Sequence, residues 1–214
     1  KAITWIYNNI STYGGNQNKL ILIGHSAGAF LVSLLATNQS YVTAAGLPAG
    51  KIIGAISNDT EGYNVSNLII DLNSSVEIPG VTNSKEYQNS CGIYPDGAYT
   101  NTASPITTDF ANTTAAATAY AAVSPINYIS STTPPFLVLG RGDSGRQALQ
   151  QAFATAMTTA GRTVTYVNYP NDDTYTHKEI NESVGSVTDP PIGKVLPPGV
   201  AKDRKSTRLN SSHA

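Results

Sequence analysis

The stretch that decides the fold is Lys19-Leu20-Ile21-Leu22-Ile23-Gly24-His25-Ser26-Ala27-Gly28-Ala29. Its apolar first half predicts a buried strand, and the small and apolar residues at its end predict the start of a helix. The G-x-S-x-G pattern lies between them. Such a turn presents a serine hydroxyl where it can attack a carbonyl carbon, so Ser26 is the candidate nucleophile. Gly24 and Gly28 fit a close strand-to-helix packing that a side chain would obstruct.

Outward from this turn, strand and helix patterns alternate, which predicts an α/β domain with a mainly parallel sheet. The predicted strands lie near 20–24, 51–57, 135–140 and 163–169, and the predicted helices near 2–13, 27–37 and 145–160, with a short one after Thr176. The irregular stretch of about 58–125 is too long for a simple connection and favours a cap-like insertion.

A serine nucleophile needs a general base, and histidine suits this role because its pKa lies near neutrality. The chain has three histidines. His213 lies in an atypical tail, and His25 adjoins Ser26, where we expect its side chain to pack beside the turn. His177, which follows the last predicted strand, is therefore the predicted base, although a surface residue at a helix start is the simpler alternative.

The third group of such a site is a carboxylate that orients the histidine. Asp143 fits best because it follows the apolar run Phe136–Leu139 by a short turn, where open α/β sheets place their sites. Asp59 follows the strand 51–57 and is a weaker candidate. Asp172 and Asp173 are closer to His177 in sequence, but their polar context favours a turn.

Composition excludes several classes of protein. The net charge is −1 and only 13% of residues are charged, so nothing indicates nucleic-acid binding. No apolar run is long enough to span a membrane. The single cysteine, Cys91, excludes an internal disulfide, and abundant Ser, Thr, Asn and Tyr favour a secreted or periplasmic location. The sequence does not give the oligomeric state.

These motifs are similar to those of the α/β-hydrolase superfamily, in the esterase/lipase branch of carboxylesterases, feruloyl-esterase-like enzymes and arylformamidases. The resemblance rests on Ile21–Gly28, Pro135–Gly140 with Asp143, and Thr176–Asn181. It implies a partial α/β-hydrolase fold and hydrolysis of a small-molecule ester by Ser26, Asp143 and His177, with no metal or organic cofactor. The elbow would comprise Gly24, His25 and Gly28, and the backbone N–H of Ala27 would donate to the oxyanion.

Two departures from the family pattern concern the ends of the chain. The His-Gly-Gly motif that supplies further oxyanion donors, and the family's first strands, are absent. We therefore expect residues 1–202 to be the C-terminal portion of a hydrolase domain, inactive as it stands, with the nucleophile strand at a sheet edge. Residues 203–213 resemble the translation of a sequencing-library adapter, so 203–214 is expected to be a non-native tail.

Other functions stay open at this point. An amidase, a formamidase or a prolyl-oligopeptidase-like peptidase would use the same three residues, because the leaving group depends on the pocket. A non-catalytic interaction protein with a hydrolase fold is a further alternative, although such proteins usually lose a triad member.

Overall fold

The computed structural model describes residues 1–65, 118, 120–142, 144–169, 177–182 and 184. The chain divides into two compact units, Lys1–Asn171 and Asp172–Ala214. The candidate acid Asp143, the Cys91 thiol, the tail and most of the cap-like stretch lie outside the described residues.

The first unit is built on four parallel strands in the order β1-β2-β3-β4. Their bounds are Leu20–His25, Ile52–Asn58, Phe136–Gly140 and Val164–Asn168. All four agree with the predicted strands to within one or two residues, because each is a short apolar or β-branched run between turn residues. The predicted α/β class and parallel sheet are confirmed.

Helices follow the strands, as parallel connections require. They are α1 (Ala2–Asn9), α2 (Ala27–Thr37), α3 (Ser40–Ala44) and α4 (Ser144–Thr159), with 3-10 turns at Ile10–Tyr13 and Pro125–Tyr128. In the second unit, α5 spans His177–Glu182. The short α3 was not predicted. Among the described residues, no helix has both the length and the apolar character needed to cross a bilayer.

The core lies on the face of the sheet against α4. Phe153 is fully buried there, stacked on Tyr63 with ring centroids 4.3 Å apart and edge-on to Phe136 at 5.3 Å. Met157 and Val138 complete this layer. The helical spacing of Ile3, Ile6, Tyr7 and Ile10 predicts one apolar stripe on α1. Ile3 and Tyr7 do pack against the core, but Ile6 is 39% exposed, so α1 contributes less than this pattern predicts.

The strand register aligns the carboxyl ends of three neighbouring strands. His25 of β1 pairs with Asn58 of β2, and Asn58 pairs with Leu139 of β3. The residues that come next along the chain, Ser26, Asp59 and Gly140, therefore meet at one edge of the sheet. This is where open α/β sheets place their ligands.

Candidate active site

Ser26 occupies the turn between β1 and α2 with a backbone φ of 58° and ψ of −123°. A positive φ is uncommon for a residue other than glycine and is strained. Three hydrogen bonds hold it: Ser26 N–H donates to the Asn58 carbonyl at 2.9 Å, and the Ser26 carbonyl accepts from Ala29 and Phe30 N–H at 2.9 and 3.1 Å. The serine is half-buried and adjoins the positive end of the helix dipole, which stabilises developing negative charge.

The two elbow glycines, Gly24 and Gly28, differ in how much space surrounds their α-carbons. A β-carbon on Gly24 would lie 2.2 Å from the Gly28 carbonyl oxygen, a contact that no packed structure tolerates. A β-carbon on Gly28 would meet nothing within 4 Å. The expectation that both positions exclude a side chain is therefore wrong for Gly28. Its carbonyl makes the close approach, while its α-carbon faces open space.

His25 lies beside this turn, half-buried, with a ring nitrogen within 4.8 Å of an Asp59 carboxylate oxygen. Asp59 has a fully buried side chain and, like Ser26, a positive φ, of 59°. These two side chains offer one potential metal-ligand atom each. The Asp59 carboxylate is also bound by arginine, in a network of buried charges.

That network was not predicted from the sequence. Arg146 Nη2 donates to Asp59 Oδ1 at 2.8 Å, and Arg146 Nη1 donates to Glu61 Oε1 at 2.6 Å. Arg141 Nη1 lies 3.7 Å from Asp59 Oδ2. Removing a carboxylate from water costs several kcal/mol, which is offset only when the charge is paired in this way. One sequence signal could have indicated this network: Asp59 directly follows β2, and both arginines follow β3, the strand that pairs with β2.

A series of hydrogen-bonded, buried hydroxyl groups connects β2 to the first turn of α2, next to the serine turn. Tyr63 Oη and Ser57 Oγ lie 2.7 Å apart, Ser33 Oγ lies 3.1 Å from Ser57 Oγ, and Ser33 Oγ donates to the Ala29 carbonyl at 2.7 Å. Burial raises the pKa of Tyr63 well above its ordinary value, and the hydrogen bond with Ser57 offsets only part of that increase. The phenol is therefore neutral and ties the first turn of α2 to β2.

Of the other two candidate residues, only His177 is among those that the structure describes. Asp143 is outside the described residues, between β3 and α4 in sequence. His177 is the first residue of α5 in the second unit, and its side chain is exposed. The predicted short helix after Thr176 is thus confirmed. The structure brings together Ser26, Ala27, Gly24, His25 and Gly28, and the proposed alignment of Ser26 with Asp143 and His177 stays a prediction.

A profile of the BD-FAE family matches residues 1–154. The chain belongs to the BD-FAE family. The match includes the serine turn, the Asp59 network and position 143. Together with the parallel sheet, it confirms the resemblance to the esterase branch of the α/β hydrolases.

Other similarities agree with this membership. The BD-FAE chain is 27% identical over 179 residues to "Esterase LipQ" of Mycobacterium tuberculosis, covering 80% of this chain and 36% of LipQ. It is 50% identical over 38 residues to the "cAMP-regulated D2 protein" of Dictyostelium discoideum, covering 18% of this chain and 7% of that protein. The chain thus spans about a third or less of the curated relatives it matches.

A solved structure shows the same fold. An esterase of Pyrobaculum calidifontis superposes with a TM-score of 0.51 at 17% identity, covering 79% of this chain and 48% of that chain. At this level of identity the likeness concerns the fold alone.

Proposed function

We propose that this BD-FAE family chain carries the catalytic residues of a serine hydrolase that cleaves carboxylic esters. The observation that carries the proposal is the backbone of Ser26, held at φ 58° between a parallel strand and a helix. A strained non-glycine residue persists only where its surroundings enforce it, and such positions cluster at active sites. The relative LipQ, named as an esterase, supports the ester as substrate class.

The proposed reaction has two halves. Ser26 Oγ attacks the ester carbonyl carbon, while His177 accepts the hydroxyl proton and Asp143 orients and stabilises the resulting imidazolium. The Ala27 N–H donates to the oxyanion of the tetrahedral intermediate, and its position at the N-terminus of α2 favours negative charge there. His177 then protonates the departing alkoxide, so the alcohol leaves and an acyl-serine remains.

Water completes the cycle. His177 removes a proton from the water that attacks the acyl carbon, and it returns this proton to Ser26 Oγ as the carboxylic acid departs. One ester and one water are consumed, and one alcohol and one acid are formed. No cofactor enters the balance.

The test uses the protein expressed from its complete gene, because the chain spans about a third of LipQ. With p-nitrophenyl acetate as substrate, Ser26→Ala is expected to lower kcat by roughly 10⁴-fold or more. Asp143→Asn should lower kcat by about 10⁴-fold, and His177→Ala by about as much as Ser26→Ala, both with little effect on KM. Ser11→Ala, which removes an exposed serine hydroxyl from the 3-10 turn after α1, is the matched control and should retain the wild-type rate.

Two results would contradict the proposal. Wild-type turnover by Ser26→Ala would exclude Ser26 as nucleophile. Faster hydrolysis of p-nitroacetanilide than of the matched ester would assign the same residues to an amidase instead.

A further inference from the structure

Three elements of the site are held together by the backbone of Asn58 and Asp59. The Asn58 carbonyl accepts the Ser26 N–H at 2.9 Å, so it holds the nucleophile turn. The Asp59 N–H donates to the Leu139 carbonyl at 2.8 Å, which binds the same peptide to the end of β3. The Asp59 carbonyl, which belongs to the next peptide, accepts a hydrogen bond from Arg146 Nη2 at 3.1 Å, and this bond ties residue 59 to α4. The backbone of residues 58 and 59 therefore determines where Ser26 lies relative to β3 and α4.

Arg146 links the Asp59 side chain to the Asp59 backbone. Its Nη2 donates to both the Asp59 carboxylate and the Asp59 carbonyl, and its Nη1 donates to Glu61. A planar guanidinium that makes several contacts at once sets geometry as well as charge. The positive φ of Asp59 is uncommon for a residue other than glycine, and such a backbone persists only where its surroundings enforce it.

We propose that Asp59 is a positioning residue, which acts through Arg146 to orient the Asn58 carbonyl and so holds Ser26 in its attacking geometry. This inference rests on the proposed function of Ser26. We assign Asp59 this role and leave that of the triad acid to Asp143, since Arg146 donates to one Asp59 carboxylate oxygen and Arg141 faces the other. Reacting groups displaced by about 1 Å can lose roughly 100-fold in rate, so a small rotation of this peptide is sufficient to matter.

The test must separate positioning from simple stabilisation. A variant that only destabilises the fold lowers the fraction of molecules that are active, without changing the rate constant of each active molecule. A mispositioned serine instead lowers the rate constant in every folded molecule. Titration with an aryl phosphonate that labels Ser26 measures both quantities, since its amplitude counts active sites and its time course gives the rate constant.

The decisive variant is Arg146→Lys in the complete protein, which keeps the positive charge but loses the bridge between Asp59 and Glu61. We expect kcat for p-nitrophenyl acetate and the phosphonylation rate constant to fall together by about tenfold to 100-fold, with KM changed less than about threefold. The titrated amplitude should stay near one per chain. Asp59→Asn should give the same pattern, and if it does not fold, Arg146→Lys alone decides.

The matched control is Arg162→Lys. Arg162 is also half-buried and donates from Nε to the Thr133 carbonyl at 2.8 Å, but it lies at the amino end of β4, the opposite edge of the sheet. Its rate constants should equal those of the wild type.

Three outcomes would overturn the inference. A folded Arg146→Lys protein with wild-type rate constants, or one with only a lower titrated amplitude, would leave the network a purely structural role. A loss in Asp59→Asn as deep as that in Ser26→Ala would make Asp59 a member of the triad. The proposed function is tested separately, and it fails if Ser26→Ala retains turnover. If Ser26→Ala loses turnover but Arg146→Lys keeps the wild-type rate constants, only the positioning role is refuted.

Discussion

The α-carbon of Gly24 lies so close to the carbonyl group of Gly28 that a β-carbon at residue 24 would be 2.2 Å from the carbonyl oxygen. Two backbone segments, the end of β1 and the first turn of α2, thus touch directly beneath the candidate nucleophile. Because the obstacle is backbone and not a flexible side chain, it cannot move aside without displacing the helix.

This contact predicts that alanine substitution changes the stability of the fold differently at the two glycines. Gly24→Ala should lower the free energy of unfolding by about 3 kcal/mol or more, because it forces the helix away from the strand. Gly28→Ala should be neutral or stabilising by up to about 1 kcal/mol, because residue 28 is helical and has open space for a methyl group. Urea denaturation of both variants checks this. Equal destabilisation by the two would contradict the described packing.

The strained backbone of Ser26 predicts a gain in stability when the serine is replaced by glycine. Glycine adopts a φ of 58° without the steric cost that serine pays, whereas alanine retains that cost. Ser26→Gly should therefore be more stable than Ser26→Ala by about 1 kcal/mol, after allowing for the greater flexibility of unfolded glycine. Thermal unfolding of the two inactive variants makes the comparison. A more stable Ser26→Ala would show that residue 26 is not strained.

Burial of Tyr63 predicts a loss of stability in alkaline solution. The unfolded chain releases the phenolic proton near the ordinary pKa of 10.0, while burial keeps the folded phenol protonated to higher pH. The unfolded state thus binds fewer protons above pH 10, and this one group should lower the free energy of unfolding by about 1.4 kcal/mol per pH unit there. Below pH 10 it should contribute no pH dependence.

Tyr63→Phe tests this assignment by denaturation between pH 8 and 11. It should be less stable at neutral pH, because the hydrogen bond with Ser57 is lost, but its stability should fall less steeply above pH 10. Tyr13→Phe is the control, since it removes a phenol that is 72% exposed. If the slope above pH 10 is the same in Tyr63→Phe and wild type, the phenol is not buried as described.

The first strand predicts self-association of this 214-residue chain. Among the described residues, β1 has a hydrogen-bonded neighbour on one side only, and Ile21 and Ile23 are 59% and 56% exposed. Apolar edge strands pair with other chains, and a lysine on the edge suppresses this. Light scattering should show concentration-dependent oligomers that Ile23→Lys reduces. Gln151→Lys, with the same added charge on the exposed face of α4, should not reduce them. Monomers at all concentrations would contradict the prediction.

The strands could be predicted because they are local patterns. Leu20–Ile23 and Phe136–Leu139 are short apolar runs ended by glycine, and such runs carry their own signal. The serine turn also lies within one contiguous motif. The prediction for Ile6 is wrong, since this residue lies on the apolar stripe of α1 and is exposed. Periodicity shows which residues share a helix face, but it does not show how much of that face the neighbouring elements cover.

The Asp59 network could not be predicted in the same way. Its partners Asp59 and Arg146 are 87 positions apart, one in a polar segment after β2 and the other in the first turns of α4, and no local pattern connects the two. Only the pairing of β2 with β3 brings them together. If the strand order is known, the network follows from it. The carboxyl ends of neighbouring parallel strands lie at the same edge of the sheet, so Asp59 after β2 lies next to the 141–146 region after β3.

The pairing of β2 with β3 also has a consequence for how this family can change. Among the described residues, the chain leaves the sheet at Asn58 and re-enters it at Phe136, beside the strand it left. The entropy of closing such an excursion grows only with the logarithm of its length, by about 0.6 kcal/mol per doubling. Evolution is therefore free to lengthen, shorten or replace the excursion at little thermodynamic expense, and new recognition surfaces can arise while the serine keeps its place.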